Sequence, residues 1–390
     1  MVEAAVLDRP AGPAADDTAL PLLRLMVLAD KPKGVSPGQR FRLEQWGELT
    51  AARHRIELDF FPFESPALTE ILYKPGMRVK KARHLIADFL RRSAVVRRAR
   101  DYDGIVIYRR AALLGPALYE RMLAATDLPL FFDFDDTIWQ ESANADSVNG
   151  IFARLKFQGK TATICRLAAA VLPGNEFLAG YARQYNDNVH ILPTSIDLAK
   201  YDVQPEPGND DPFVVCWTGS HTTLVNFETA RTALERLAQR RRLLVKVICN
   251  VPPRAPIAGA ETAYIPWREE GEAEAIGASH VGIMPLPDEP LARGKCGLKA
   301  LQYMAVGRPA VVSPVGMNVD LVRDGENGFL ASSDDEWVET LDRLAGSREL
   351  RQRIGMAGRR TVEEGYSAEV VAERFARIIR STLEARRKPS

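Results

Sequence analysis

A chain of 390 residues, 46% hydrophobic and 26% charged, has the composition of an ordinary folded protein with enough apolar material for two domains. Its formal charge of +1 excludes a global field that would select nucleic acid as partner. The four scattered cysteines (Cys165, Cys216, Cys249, Cys296) lack metal-type pairing, no run is apolar enough to span a bilayer, and the start lacks a basic-then-apolar signal, so a cytoplasmic protein without structural zinc is expected.

Residues 1–21, rich in Ala, Pro and Asp, read as a disordered leader. Leu22 to Leu28 is the first predicted strand, followed by a turn-rich loop to Gly38 and an amphipathic helix from Arg40 to His54. Ile56 to Phe61 is the second strand. Lys74 to Arg100 then holds ten Lys or Arg against one acid, Asp88, interleaved with Val79, Leu85, Ile86, Phe89, Leu90, Val95 and Val96. Such a stretch suits an anionic membrane face or an acidic glycan, or is simply a solvated helix face. Gly104 to Tyr108 is a buried strand and Ala117 to Ala125 a helix. Leu130 to Phe134 runs into Asp133, Asp135 and Asp136 at a strand's carboxyl end. Clustered carboxylates can hold Mg²⁺ or Mn²⁺, bind hydroxyl groups, or cap the next helix. Ile164 to Leu172 reads as a strand and Gly174 to Leu178 as a helix start. The polar stretch from Gln204 to Pro212 suits a linker, which puts a domain boundary near residue 200.

In the second half, Phe213 to Trp217 opens a new sheet and runs into Thr218-Gly219-Ser220-His221-Thr222-Thr223. Small hydroxyl residues around a glycine at a strand-to-helix junction form a backbone anion nest. His221 either contacts phosphate or starts a helix in solvent. Leu244 to Cys249 and Ala263 to Trp267 are extended, and Val281 to Met284 is a buried strand closed by Pro285 and Pro287. A loop with Gly294 and Gly297 leads to a helix from Leu298 to Ala305, stopped by Gly307-Arg308-Pro309, and Ala310 to Ser313 is the next strand. This βαβ unit should place a helix N-terminus at the carboxyl edge of a parallel sheet. Lys295, Lys299 and Gln302 fall within a narrow arc at helical spacing, so two ammonium groups would meet a diphosphate there; the plainer reading is a pair of solvated lysines. Trp337 to Leu344, Glu349 to Ala357 and Ser367 to Leu383 are helices.

The run GLKALQYMAVGRPAVVSPVG…LVRDGENGFL resembles the donor-site segment of family 4 retaining glycosyltransferases. That resemblance implies a GT-B fold: two facing Rossmann-like α/β domains, an interdomain cleft, and a C-terminal helix crossing back. It places the acceptor domain at 22–200, the nucleotide-sugar domain at 201–365 and the returning helix and tail at 366–390. The family's two glutamates, seven residues apart, are replaced by Gly294 and Gln302, and the Arg and Lys that the family carries at the first strand-to-helix junction are absent at Gly219 to Thr223. Lys295 and Lys299 are read as the substitute charge. By the same resemblance Pro193-Thr194-Ser195-Ile196-Asp197 closes the first domain, Pro266 and Trp267 pass the nucleotide base, Gln39 and Arg40 face sugar, and the aspartates line the cleft without a dedicated metal.

The function expected is transfer of a hexose-type sugar, with retention, from a UDP- or GDP-linked donor to a glycan or lipid-linked hydroxyl in cell-surface polysaccharide or glycolipid synthesis. Asp135, Asp136, Lys295 and Lys299 are the expected catalytic residues. Gly219, Ser220, His221, Thr222, Trp267, Gly294, Gly297 and Gln302 join the lysines as donor contacts, and Gln39, Arg40 and Asp133 are acceptor contacts. No cofactor or metal is expected, and residues 74–100 suggest peripheral association with the inner membrane face. A silent nucleotide-sugar-binding scaffold and a sugar-nucleotide epimerase of the same fold are the alternatives.

Overall fold

Apolar runs bounded by Gly, Pro and Asp make short strands buried on both faces, the pattern of parallel sheets covered by helices. The computed structural model describes residues 20–72, 74–140, 159–208 and 211–387, and the chain divides into two units, 1–194 with 368–390, and 195–367. The expected leader, up to residue 19, lies outside the described residues.

In the first unit the elements are β1 (Leu23–Ala29), α1 (Gln45–His54), β2 (Ile56–Pro62), α2 (Pro66–Leu72), α3 (Arg78–Arg97), β3 (Gly104–Tyr108), α4 (Leu118–Ala124), β4 (Leu130–Phe134), α5 (Lys160–Leu167), β5 (Ala170–Pro173) and α6 (Glu176–Ala182). The five strands are parallel in the order β2-β1-β3-β4-β5. The order reverses between β1 and β3, so the loops after these strands meet at a switch point. The run from Ile164 to Leu172, expected as one strand, is instead the end of α5 and most of β5. Ile164 and Cys165 fit a buried helix stripe as well as a strand, and the Asn186 side chain closes that helix by donating to the Cys165 and Ala168 carbonyls.

The second unit runs β6 (Phe213–Gly219), α7 (Arg231–Ala238), β7 (Leu243–Cys249), β8 (Glu261–Pro266), α8 (Glu272–Gly277), β9 (Val281–Met284), α9 (Leu298–Ala305), β10 (Ala310–Val312), β11 (Phe329–Leu330), α10 (Asp334–Ala345) and α11 (Arg348–Gly365). Its six parallel strands take the order β11-β10-β9-β6-β7-β8, which is the dinucleotide-fold order and reverses between β6 and β9. Tyr303 on α9 clips that junction: its hydroxyl accepts from Thr218 N at 3.1 Å and donates to Ile283 O at 3.0 Å. A side chain on Gly282 would put its Cβ 2.1 Å from the Tyr303 ring, so the clip requires glycine in β9.

Helix α12 (Ala368–Arg387) belongs to the first unit. Val371, Phe375 and Ile379 are buried in one core with Leu25, Val27 and Trp46, and the Phe375 and Trp46 rings lie 5.7 Å apart. Among the described residues no helix is long and apolar enough to cross a membrane.

Candidate functional site

The switch point of the second unit is built on an indole. Trp217, at the end of β6, is fully buried, and its ring fills the space under Gly219: a Cβ there would lie 2.4 Å from the ring and 2.7 Å from Thr223 Oγ1. Gly219 therefore lets the strand turn closely over the indole. Ser220 N then donates to Thr223 Oγ1 at 3.0 Å, and Ser220 Oγ and Thr222 Oγ1 lie 2.9 Å apart. These hydroxyls are engaged with one another. His221 is tied to the end of β7, its N–H donating to Asn250 Oδ1 at 2.8 Å.

From the other side of the reversal, Gly297 takes a left-handed conformation (φ 69°) and starts α9. Gly294 is buried with its N–H on Pro290 O at 3.3 Å, and Gly316 (φ 57°) packs against Arg293, where a Cβ would stand 2.4 Å from the carbonyl. Lys295 precedes α9 rather than lying on it, so the common helical face expected for Lys295, Lys299 and Gln302 does not form. Lys299 reaches back over Trp217, its ammonium 5.6 Å from the ring centroid. Among the described residues it has no carboxylate partner. Burial first and Lys295 second push its pKa down to about 8, with Cys249 opposing the shift. One indole thus joins Gly219 and Lys299.

Gln302 turns the other way. Its amide donates to Tyr201 Oη at 2.8 Å, and that hydroxyl donates to Glu272 at 2.6 Å. Glu272 also accepts from Trp267 Nε1 at 2.8 Å and from Thr218 Oγ1 at 3.4 Å. Trp267, expected beside the nucleotide base, spends its one donor inside this network. Next to it, a cavity of about 270 Å³ opens at the carboxyl ends of β7 and β8, lined by Ile248, Ile265, Pro266, Arg268, Glu270 and Glu272 among others. Glu272 and Trp217 were not among the expected residues. Glu272 reads as one more acid in a helix's first turn, and Trp217 as the end of an apolar strand; only the fold shows what they gather.

In the first unit the three aspartates separate. Asp133 is fully buried and takes a bidentate pair from Arg42, at 3.0 Å from Nε and 2.6 Å from Nη2. The same guanidinium donates to Leu192 O at 2.6 Å and lies over Trp46. Asp133, expected as an acceptor contact, thus holds a buried cation. Asp135 sits at the switch point, accepting from Tyr108 Oη and Arg109 Nε, each at 2.8 Å. Burial opposes its ionisation, but Arg109, Arg42 and the Tyr108 hydroxyl outweigh that and hold its carboxyl below the usual range. Gly38 allows the loop after β1 onto this cluster, since a Cβ would stand 2.1 Å from Asp135 Oδ2. Asp136 accepts from Thr137 N at 2.9 Å. The carboxylates turn to separate partners, and among the described residues no group of three or more His, Cys, Asp or Glu is placed to hold a metal ion. Gln39 and Arg40, expected as acceptor contacts, are both buried, Gln39 donating to Glu44 at 2.7 Å and Arg40 lying over the Phe41 ring.

Two parallel α/β units, with glycine-turned loops meeting at the switch point of each, define the fold of the GT-B glycosyltransferases. Residues 213–347, within the second unit, match the family model described as Glycosyl transferases group 1. The chain is 32% identical over 88 residues to spore coat protein SA of Bacillus subtilis (strain 168), covering 22% of each protein. It is 32% identical over 117 residues to the putative glycosyltransferase EpsD of the same organism, covering 26% of this chain and 31% of that one. The chain thus spans less than a third of the length of these curated relatives. Its structure is similar to that of sucrose-phosphate synthase from Thermosynechococcus elongatus, with a TM-score of 0.69 at 15% identity over 93% of this chain and 100% of that one. It is also similar to HepE of Anabaena, solved with UDP and glucose, with a TM-score of 0.63 at 13% identity over 92% and 100%.

Proposed function

We propose that the protein is a retaining, family 4-type glycosyltransferase that moves a hexose from a UDP- or GDP-sugar to a hydroxyl of a glycan or lipid-linked acceptor, in the synthesis of cell-surface polysaccharide or glycolipid. The observation that carries this reading is Lys299: a half-buried ammonium over Trp217, beside Lys295 and the N-terminus of α9, with no carboxylate among the described residues to neutralise it. A departing diphosphate is the largest charge such a reaction develops, and a cation held out of water at that point stabilises it far more than one in solvent. The base is assigned to the cavity beside β8, and the acceptor side to the Gly38, Arg109 and Asp135 cluster of the first unit. The HepE complex with UDP makes UDP the first nucleotide to try. On this reading the partners are the donor, the acceptor and an anionic membrane surface on the cytoplasmic side.

The test is calorimetry with UDP, GDP, ADP and TDP on the wild type and on Lys299→Ala. One nucleotide should bind, with affinity falling roughly ten- to hundred-fold in the variant, the loss expected for a charged hydrogen bond. Equal binding in both would move the diphosphate away from Lys299, and no binding to any nucleotide would overturn the transferase reading.

A second reading, a silent nucleotide-sugar-binding protein, is favoured by Gly294, which offers no side chain to a sugar, and by Gln302, whose amide is turned to Tyr201. Tight donor binding without turnover in the presence of a crude lipid and glycan extract would select it.

A further inference from the structure

We propose that the solvent face of α3, with α4 beside it, is a docking surface for an anionic lipid bilayer. The inference deepens the partner assigned above and rests on that reading only in placing the protein at a membrane. Val79, Ile86 and Leu90 are 76%, 61% and 68% exposed, and their spacing puts them on one stripe of the helix with the exposed Arg83 and Arg97. Single exposed apolar side chains are commonplace; three large ones aligned on one helix, among cations only, are not.

The placement of the acids sharpens the pattern. Asp88, the one acid of α3, is turned inward, accepting from Ser65 N at 2.9 Å and Ser65 Oγ at 3.0 Å and pairing with Arg91. Helix α4 repeats the arrangement. Its one acid, Glu120, is fully buried against Ala111 N and Lys160, while Leu118, Arg121 and Met122 are exposed. Tyr119 fixes α4 against α3: its ring stacks on Phe89, and its hydroxyl donates to Phe89 O at 2.8 Å. At the ends of the surface, Lys74 and Arg98 are neutralised locally by Glu70 and Asp101. Among the described residues Arg78, Lys80, Arg83 and Arg97 have no carboxylate partner.

Inward, Phe89 meets Phe63 at 5.0 Å, and Arg92 and Val96 are buried, so the helix is held by one face and presents the other. A soluble polyanion would satisfy the arginines but leave Val79, Ile86 and Leu90 in water. An anionic bilayer satisfies both, since apolar side chains enter the acyl boundary while the cations lie among the headgroups.

The experiment is co-sedimentation of the full chain with vesicles of phosphatidylcholine alone, and of phosphatidylcholine with phosphatidylglycerol at about a third of the lipid, a charge density at which each surface cation contributes measurably. Binding should require the anionic lipid. It should fall roughly five-fold for each of Arg83→Gln and Arg97→Gln. It should fall at least as far in the double variant Ile86→Asp with Leu90→Asp, whose exposed positions leave the melting temperature unchanged. No binding to the anionic vesicles by folded protein overturns the proposal. Wild-type binding by the aspartate pair also overturns it, and would identify a surface for soluble polyanions such as acidic glycans. Calorimetry with UDP, GDP, ADP and TDP on the same samples separates the two ideas: lipid binding without binding of any nucleotide removes the transferase reading alone, and the converse removes the membrane surface alone.

Discussion

Lys299 is the side chain whose surroundings say most about its use. Its ammonium lies over the Trp217 ring, near Lys295 and Cys249, and burial first and Lys295 second bring its pKa to about 8. A bound diphosphate favours the charged form, so the complex keeps the proton at pH values where the free protein has lost it. Below pH 8 nucleotide affinity should therefore be flat. Above it, binding takes up one proton and affinity falls about tenfold per pH unit until the pKa of the complex is reached. Calorimetry between pH 7 and 9 in buffers of different ionisation enthalpy reads this directly, and Lys299→Ala should abolish the proton uptake. Gly219→Ala should be poorly tolerated for a steric reason, because its Cβ would lie within 2.7 Å of both a buried indole and Thr223. A cost of about 1–3 kcal/mol, from overpacking at a site that cannot yield, would appear in the melting of the second unit. Arg42→Leu tests the buried pair in the first unit. It leaves Asp133 ionisable and unpaired, and should cost about 3–5 kcal/mol, seen as a large fall in melting temperature that Arg42→Lys does not rescue.

At the scale of elements, α12 makes a prediction of its own. Phe375 is fully buried against Trp46 of α1, so Phe375→Ala should destabilise the first unit by about 3–5 kcal/mol. With separate cores in the two units, calorimetric scanning should show one transition moving and the other staying. Elements were also where the sequence was most legible. Strands such as Gly104–Tyr108 and Val281–Met284 are short apolar runs between turn residues and can be read directly. The run from Ile164 to Leu172 misleads because its apolar positions satisfy helical and strand spacing alike, and Asn186, far along the chain, decides between them. The site was legible only where backbone needs leave a residue signature. Gly297 before α9 is such a mark. Trp217 under Lys299, Glu272 at the centre of a polar network and Arg42 on Asp133 are side-chain meetings over long sequence separations, which no local pattern records.

For the whole molecule, the arrangement of chain segments matters more than any single contact. The second unit is a continuous segment, 195–367, and its two ends meet: Ile196 N donates to Tyr366 O at 2.9 Å. A segment with adjoining ends and its own core is an independently folding domain. The fragment 195–367 should therefore melt cooperatively when expressed by itself and bind the same nucleoside diphosphate as the whole chain, which circular dichroism and calorimetry would establish. The first unit has no such freedom, because α12 reaches it only after residues 195–367 have been made. On the ribosome, Trp46 and the apolar face of α1 must wait uncovered while an entire second domain emerges and folds. The order of synthesis thus lets the second unit mature first and leaves apolar surface of the first unit exposed until α12 has been made.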